Sequence, residues 1–305
     1  DVREIIHRSM TTASATSARL RGLETSLTAI ARRERDTSAA ARSLTQHAVP
    51  TTVGLRVATW LSGVRRSRHR FDTARVALPA QLGGAAGTLA SFVELSDAPT
   101  ARRLVAAYAD ILGLTTPRSP WHTTRWPVTE LGDALMQTID AVGAMAADVA
   151  TLSRTEIGEV LEGAPGGSSA MPQKRNPVRA TLIRSAALRA PQLGASLHLS
   201  AALAGDERPD GAWHAEWPVL RDLLRLALGT SDAASRLASG LRFEPVAIAR
   251  NLGATGGLIV SERIALALTP VLGLERVTAM IASAGHSDLA GLVDRHHDHA
   301  ETVRV

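Results

Sequence analysis

The 305-residue chain contains no cysteine, which excludes disulfides, thiolate metal sites and cysteine nucleophiles. Aromatic residues make up only 3% of it, whereas β-sheet proteins depend on aromatic and β-branched side chains. No apolar run approaches the roughly 18 residues that a membrane span needs. The charged start, Asp1-Val2-Arg3-Glu4, does not resemble a signal peptide. We therefore expect a soluble, cytoplasmic, helical protein with no membrane partner.

Lysine is almost missing as well. Of 34 basic residues, 33 are arginine and one is lysine, Lys174. Arginine explains the pI of 10.9 without a large charge excess, because the net charge is only +5. Since the basic residues are scattered, and the dense cluster Arg65–Arg70 fits a solvated helix face, we expect no nucleic-acid partner. A compact ammonium and a planar guanidinium are not interchangeable in a tight site, so the lone Lys174 indicates contact with a ligand.

The pattern of prolines, glycines and apolar residues predicts an all-α fold. We expect a long antiparallel helical bundle over 1–240 and part of a small helical C-terminal domain over 241–305. An apolar stripe from Leu131 to Ile157 predicts one helix over about 128–161. Such a long helix should bury little within one protomer, so the stripe favours self-association. The other predicted helices cover about 3–47, 52–79, 88–113, 177–204 and 212–239, with shorter ones in 245–294.

Two glycine-rich stretches interrupt these helices. The first, Gln81–Thr88, lacks the Gly-Lys-Ser/Thr ending of a P-loop, so we predict only a turn. The second covers 163–177 and combines three glycines, two serines, the lone lysine and Asn176-Pro177. Glycines allow close backbone approach to a ligand, and Pro177 suits the first position of a helix. Backbone donors at that helix start, together with Lys174, predict an anion site rather than a plain linker.

The stretch 167–177 resembles the signature of the aspartase/fumarase superfamily, Gly-Ser-Ser-x-Met-Pro-x-Lys-x-Asn-Pro, at every fixed position. The resemblance implies a loop that closes over a small polycarboxylate. In it Ser168 would remove the proton beside a carboxylate, and Lys174 and Asn176 would hold carboxylates, next to Ser169 and Met171. It also implies the superfamily's helical bundle, a homotetramer with shared active sites, and no metal or organic cofactor.

Four of the five tryptophans fall in two stretches, Trp121–Trp126 and Gly211–Trp217. Each pairs a tryptophan with a following histidine, which predicts either a packed helix surface or a shared aromatic-walled pocket. The first stretch resembles the superfamily's second conserved region. The second resembles that of the bacterial 3-carboxy-cis,cis-muconate cycloisomerases. The candidate substrate-binding residues are His122, Thr123, Arg125, Trp213 and His214, with His122 and Arg125 clamping a carboxylate.

The stretch Arg42–Pro50 resembles the superfamily's first conserved region, with one departure. Fumarase-like members have a His-Glu pair where this chain has Leu44 and Thr181. A fumarase-type mechanism that uses this pair is therefore not expected. His47, which resembles the cycloisomerase pattern, is left as a titratable group for proton transfer. Its structural alternative is a helix-terminal cap.

These resemblances imply intramolecular addition of a carboxylate to an alkene, the 3-carboxy-cis,cis-muconate cycloisomerase reaction. Alternatives are another superfamily lyase, such as an adenylosuccinate lyase-like enzyme, and a non-catalytic crystallin-like descendant. Members of the superfamily carry a small N-terminal domain before the residue matching Asp1, and we expect that domain to be absent from this chain. The histidine-rich tail at His296, His297 and His299 is interpreted as a solvated terminus rather than a metal site.

Overall fold

The computed structural model describes residues 2–163, 166 and 171–284. These residues are mainly helical, and the all-α prediction is confirmed. Two short antiparallel pairs of strands, β1 with β2 and β3 with β4, accompany the helices. The helices are α1 Val2–Arg33, α2 Val53–Val76, α3 Ala90–Glu94, α4 Ala98–Leu112, α5 Trp126–Leu152, α6 Val178–Ala202, α7 Gly211–Gly240, α8 Pro245–Gly253, α9 Ser261–Leu272 and α10 Leu274–Ala284. The strands are β1 Ser38–Ser43, β2 Gln46–Thr52, β3 Val160–Leu161 and β4 Arg242–Phe243.

The first predicted helix, over about 3–47, is wrong in its last third. It ends at Arg33, and the chain then forms the hairpin β1–β2. The Ala-rich sequence of β1 favours a helix, but pairing with β2 and burial of Ala39 and Ala40 override that preference. The hairpin turns at Leu44 and Thr45, both with positive φ, at 49° and 74°. The prediction of a single helix from local preference missed this turn, because the turn depends on the pairing of β1 with β2.

The apolar stripe of α5 is confirmed as a buried face, but its interpretation changes. Its members from Leu131 to Leu152 are at most 6% exposed within the single chain, whereas Ile157 lies beyond the helix end. Neighbouring helices of the same chain cover the stripe, so it does not argue for self-association. The core around it draws on α1, α2, α5, α6 and α7, with Phe71, Leu135, Ile139, Leu197 and Leu223 among its largest side chains.

Glycines let α5 and α6 approach closely. A Cβ on Gly143 would lie 2.7 Å from the Cβ of Ala187, well inside normal contact distance. A Cβ on Gly132 would overlap Leu197, and one on Gly194 would overlap Met136. These helices therefore pack with glycine against an opposing side chain, which fixes how α6 is held beside α5.

The chain divides into two compact units: unit 1 is Asp1–Leu27, Thr59–Ala150 and Glu162–Leu241, and unit 2 is Thr28–Ala58, Thr151–Leu161 and Arg242–Val305. The change of unit after Leu241 lies beside the predicted boundary at 240. Unit 2 also takes in two segments that we had assigned to the bundle, so the division into 1–240 and 241–305 stays a proposal.

Unit 2 is organised around a buried carboxylate, Glu159, which is 1% exposed. Arg42 of β1 donates to it at 2.6 Å, Asn251 of α8 at 2.8 Å and Arg56 of α2 at 3.4 Å. Burial alone would raise the pKa of Glu159, but these hydrogen bonds and the two arginine charges hold it below its ordinary value. Glu159 thus joins the hairpin, α2 and α8.

No single helix among the described residues is both long and apolar enough to cross a membrane. One bent pair, Pro245–Gly253 with Leu258–Leu272, would pass such a test by length and composition alone.

Candidate functional site

The glycine-rich stretch Gln81–Thr88 forms a tight turn in unit 1. Gly84 and Gly87 have positive φ, at 74° and 78°, which favours glycine. Gly83 is favoured for a different reason, because a Cβ there would lie 3.2 Å from the ring of His122. The imidazole therefore rests directly on the turn.

The segment before α5 is fastened to this turn by Trp121. Its backbone N–H donates to Oε1 of Gln81, and its indole N–H donates to the carbonyl of Ala80, both at 2.9 Å. Within unit 1 the turn and the predicted motif at 121–126 thus form one surface. Thr123 lies half-buried in the same segment.

Arg125 is held by a buried ion pair rather than left free for a ligand. Glu216 of α7 accepts from its Nε at 3.0 Å and its Nη2 at 2.5 Å, and both side chains are about 95% buried. The remaining nitrogen, Nη1, donates to the carbonyls of His122 at 3.3 Å and Trp121 at 3.5 Å. The expected carboxylate clamp by Arg125 is therefore revised, since its fork is already occupied by Glu216.

His122 is a neutral acceptor in this setting. Burial, together with the nearby charges of Arg208 and Arg125, lowers its pKa, against a contact with the carbonyl of Glu207. That carbonyl lies 3.2 Å from Nδ1 and can only accept, so Nδ1 carries the proton. The neutral ring then offers Nε2 as an acceptor. A carboxylate clamp would need the charged ring, so this part of the prediction is revised too.

The start of α7 supplies an aromatic group. The rings of Trp213 and Trp217 lie 5.2 Å apart, edge to face, and His214 lies 4.7 Å from Trp217. His214 is exposed, and its Nδ1 contacts the carbonyl of Asp210 at 3.0 Å. Trp213 faces the glycine-rich turn, whereas His214 belongs to the outer side of this group and does not line the cavity described next.

The glycine-rich turn, the segment before α5 and the start of α7 together line a cavity of about 370 Å³. That volume is typical of sites for small molecules. Three predicted residues, His122, Arg125 and Trp213, line it. Sequence reasoning missed Arg208, which carried no motif signal, and the glycines of the turn, which it had noted but set aside. The lining is Gln81, Leu82, Gly83, Gly84, Phe92, Trp121, His122, Arg125, Arg208, Pro209 and Trp213.

A second cavity, of about 540 Å³, is lined by residues of α2 and α5, among them Trp126. It contains none of the predicted catalytic or binding residues. No group of three or more metal-ligating side chains occurs among the described residues.

The signature loop is described at its two ends, while Ser168 and Ser169 lie outside the described residues. Gly166 and Asn176 exchange two backbone hydrogen bonds of 3.0 Å, which closes the base of the loop. Lys174 and Met171 are exposed on its second half, and the N–H of Lys174 donates to the carbonyl of Met171 at 3.0 Å. The loop is therefore pinned at its base and presents the lone lysine to solvent.

The first turn of α6 is not an open anion site. Buried Glu162 accepts from the backbone N–H of Arg179 at 3.2 Å and of Ala180 at 2.9 Å. The prediction that this helix start would bind an external anion through those donors is therefore wrong, because a carboxylate of the chain already occupies them. Glu162 also escaped sequence reasoning, although it directly precedes the loop.

The remaining candidates lie elsewhere. His47 is half-buried on β2, opposite Arg42, so its alternative reading as a helix-terminal cap is wrong. Leu44 is 96% exposed at the hairpin turn. Thr181 lies in the first turn of α6 and donates its hydroxyl to the carbonyl of Pro177 at 2.9 Å. The histidines at 296, 297 and 299 lie outside the described residues.

Comparison with known proteins places this helical architecture in one family. Residues 5–191 match the model of the Lyase family. The crystal structure of 3-carboxy-cis,cis-muconate lactonizing enzyme from Pseudomonas putida superposes with a TM-score of 0.87 at 32% identity, over 96% of this chain and 66% of that one. The chain therefore belongs to the lyase family of the aspartase/fumarase superfamily, as the signature loop predicted.

Two relatives narrow the comparison. Nitrosuccinate lyase from Streptomyces davaonensis is 50% identical over 263 residues, which cover 84% of this chain and 55% of that protein. 3-carboxy-cis,cis-muconate cycloisomerase from Pseudomonas aeruginosa is 41% identical over 249 residues, which cover 80% and 53%. The chain thus spans a little over half the length of these relatives. Resemblance to the cycloisomerases is confirmed, but the nitrosuccinate enzyme shares more residues.

Proposed function

We propose that the whole protein is a lyase that eliminates nitrite from nitrosuccinate and leaves fumarate. The observation that carries the proposal is the 50% identity to a nitrosuccinate lyase over 84% of this chain. A base removes a proton from the CH₂ carbon beside one carboxylate. The electron pair of that C–H bond forms the double bond, and the neighbouring C–N bond breaks, with nitrite taking its electrons. This revises the cycloisomerase expectation, which becomes the second candidate.

The chemistry of the leaving group fits the missing His-Glu pair. Hydroxide leaves only with a proton, because its conjugate acid, water, is a very weak acid. Nitrite is the weak conjugate base of a much stronger acid and leaves without one. Leu44 is almost fully exposed, and the hydroxyl of Thr181 is bonded to Pro177. Neither can act as the general acid that a poor leaving group requires.

The roles in this reaction divide among the predicted residues. Ser168 is the proposed base, and Lys174 and Asn176, with Ser169 and Met171, hold substrate in the closed loop. As the proton leaves, charge builds on the adjacent carboxylate, and the ammonium of Lys174 stabilises it. His47 stays a proposed proton carrier.

The cavity supplies the other groups. Nε2 of His122 accepts a hydrogen bond, and Trp213 forms an apolar wall. Arg125 acts through His122 and Trp121, whose carbonyls it holds, and so becomes a positioning residue. Thr123 and His214 stay as proposed contacts. No step requires a metal or an organic cofactor.

The second candidate is carboxymuconate cycloisomerisation. It is favoured by the 0.87 TM-score to the lactonizing enzyme and by Trp213-His214-Ala215-Glu216-Trp217. Here too the heteroatom group is stable as an anion, since it is a carboxylate with a conjugate-acid pKa of about 4. The missing His-Glu pair is therefore compatible with both reactions, and substrate turnover must separate them.

The test offers nitrosuccinate and 3-carboxy-cis,cis-muconate separately to the purified full-length protein. Colorimetric release of nitrite with equimolar fumarate supports the proposal. Loss of the conjugated diene of carboxymuconate without nitrite release would support the second candidate instead. Ser168→Ala is the matched variant, and an unchanged rate in it removes Ser168 from the mechanism.

We also propose self-association, now on a different surface. Helix α6 turns large apolar side chains to solvent: Leu188 is 80% exposed, Leu199 62% and Leu182 61%. Exposed leucines along one helix are typical of a surface that another protein covers. A homotetramer with shared active sites remains the proposed state.

A further inference from the structure

The cavity in unit 1 holds more positive than negative charge. Its lining includes Arg125, Arg208 and His122, and no aspartate or glutamate among the described residues. The charge of Arg125 is compensated by Glu216, which lies directly behind it. His122 has a lowered pKa and is neutral at neutral pH. Arg208 is therefore the cation that gives the cavity its net charge.

Arg208 is held in place by the glycine-rich turn. Its Nε donates to the carbonyl of Ala85 at 3.1 Å and its Nη2 to the carbonyl of Gly84 at 2.5 Å. Its guanidinium carbon lies 5.6 Å from the ring centroid of Trp213, a cation–π distance. These contacts orient the guanidinium without neutralising it, because carbonyl groups and rings carry no net charge.

The guanidinium of Arg208 still has N–H groups that can bind a ligand. A guanidinium has five N–H groups, and the two carbonyl contacts use two of them. The neighbouring acids Asp206, Glu207 and Asp210 do not reduce its charge by direct pairing, since no carboxylate of the described residues lies within 4.0 Å of Arg208. Two of these acidic residues contact histidines through their backbone carbonyls instead. The carbonyl of Glu207 contacts His122, and the carbonyl of Asp210 contacts His214.

Apolar side chains surround one side of this charge. Phe92, Trp121 and Trp213 line the same cavity, while Arg208 itself is exposed, so that a ligand entering from solvent can reach its guanidinium. The charge of Arg208 is already felt at His122, where it helps to lower the pKa.

We propose that Arg208 recognises one of the two carboxylates of a dicarboxylate substrate and thereby selects dicarboxylates over monocarboxylates. The inference rests on the proposed function only in taking the substrate to be a dicarboxylate. It adds a specificity-determining residue at this cavity, whose lining is made by the glycine-rich turn, the segment before α5 and the residues around the start of α7.

The experiment measures binding of two ligands to the full-length protein by calorimetry. Fumarate and crotonate share a four-carbon alkene skeleton and differ in one group, a carboxylate in fumarate and a methyl in crotonate. The variants are Arg208→Gln, Arg208→Lys and the control Arg225→Gln. Arg225 is an exposed residue of α7 whose recorded partner is Asp222, outside the cavity. Thermal unfolding of each variant checks that the fold is intact.

The wild type and Arg225→Gln should bind fumarate more tightly than crotonate. Arg208→Gln should weaken fumarate binding about ten- to hundredfold, the size of a lost charged hydrogen bond, and bring it near the crotonate value. Arg208→Lys should keep an intermediate preference. A role limited to holding the turn would weaken both ligands alike.

The inference is overturned if Arg208→Gln keeps the wild-type preference, if both ligands weaken equally, or if the wild type has no preference. Failure of the proposed function is read separately, as absence of nitrite release from nitrosuccinate. A protein that releases no nitrite but loses its fumarate preference in Arg208→Gln would disprove the reaction and support the role of Arg208.

Discussion

Removal of Glu216 should expose how the buried pair supports the cavity. In Glu216→Leu the guanidinium of Arg125 keeps its place, with a side chain only 6% exposed, but loses both carboxylate hydrogen bonds. Breaking a buried ion pair in this way costs about 3–5 kcal/mol, because the charge left behind is unpaired. The lowered stability should shift the urea midpoint with little change in slope.

The double variant Arg125→Met/Glu216→Leu tests whether the unpaired charge of Arg125 causes this loss of stability. With both charges gone, most of that loss should return, since well-packed apolar residues often replace a buried pair at little cost. The coupling energy from the double-mutant cycle should therefore exceed about 2 kcal/mol. The control is Asp222→Asn on the same helix, whose partner Arg225 has a 68% exposed side chain. That exposed pair should contribute less than about 1 kcal/mol.

The same double variant separates stability from positioning. Without Arg125, the carbonyls of Trp121 and His122 lose their donor, so ligand affinity should fall although the fold is restored. Urea unfolding and fumarate binding are measured on the same samples. A Glu216→Leu loss below about 1 kcal/mol, or a double variant as unstable as the sum of the singles, would refute the reasoning.

Three further predictions follow from other parts of the chain. Because the pKa of Glu159 is lowered in the fold, its contribution to stability is complete above its unfolded pKa of about 4.3 and is lost as the pH falls through the folded value. Glu159→Gln should therefore flatten the dependence of the free energy of unfolding on acid pH, and an unchanged pH profile would contradict this. Lys174→Arg should lower kcat/KM at least about tenfold, whereas Arg175→Lys, beside it on the exposed loop, should not; equal effects would remove the argument from the lone lysine. Leu188→Glu with Leu199→Glu on α6 should reduce the molar mass in light scattering, and Leu104→Glu on α4, 41% exposed, should leave it unchanged; an intact assembly in the α6 variant would exclude that surface.

The sequence determined the features that depend on neighbours along the chain. The signature from Gly167 to Pro177 was sufficient for the superfamily, because its spacing is local. The α5 stripe was readable from periodicity, since a helix repeats its buried face every three or four residues. The loss of the His-Glu pair at Leu44 and Thr181 was visible from the resemblance to the superfamily, and it limited the chemistry before any geometry was known.

Tertiary structure decided what depends on residues distant in sequence. The Ala-rich segment Ser38–Ser43 is a strand because a partner strand holds it, which local preference cannot foresee. Arg125 and Glu216 are 91 positions apart, so only the fold could show that one neutralises the other. A still longer separation hid the role of Arg208, which lies 124 positions from the Gly84 carbonyl that orients it. Sequence chemistry thus supplied the reaction class, and packing decided which cation in the cavity remains free to meet a substrate.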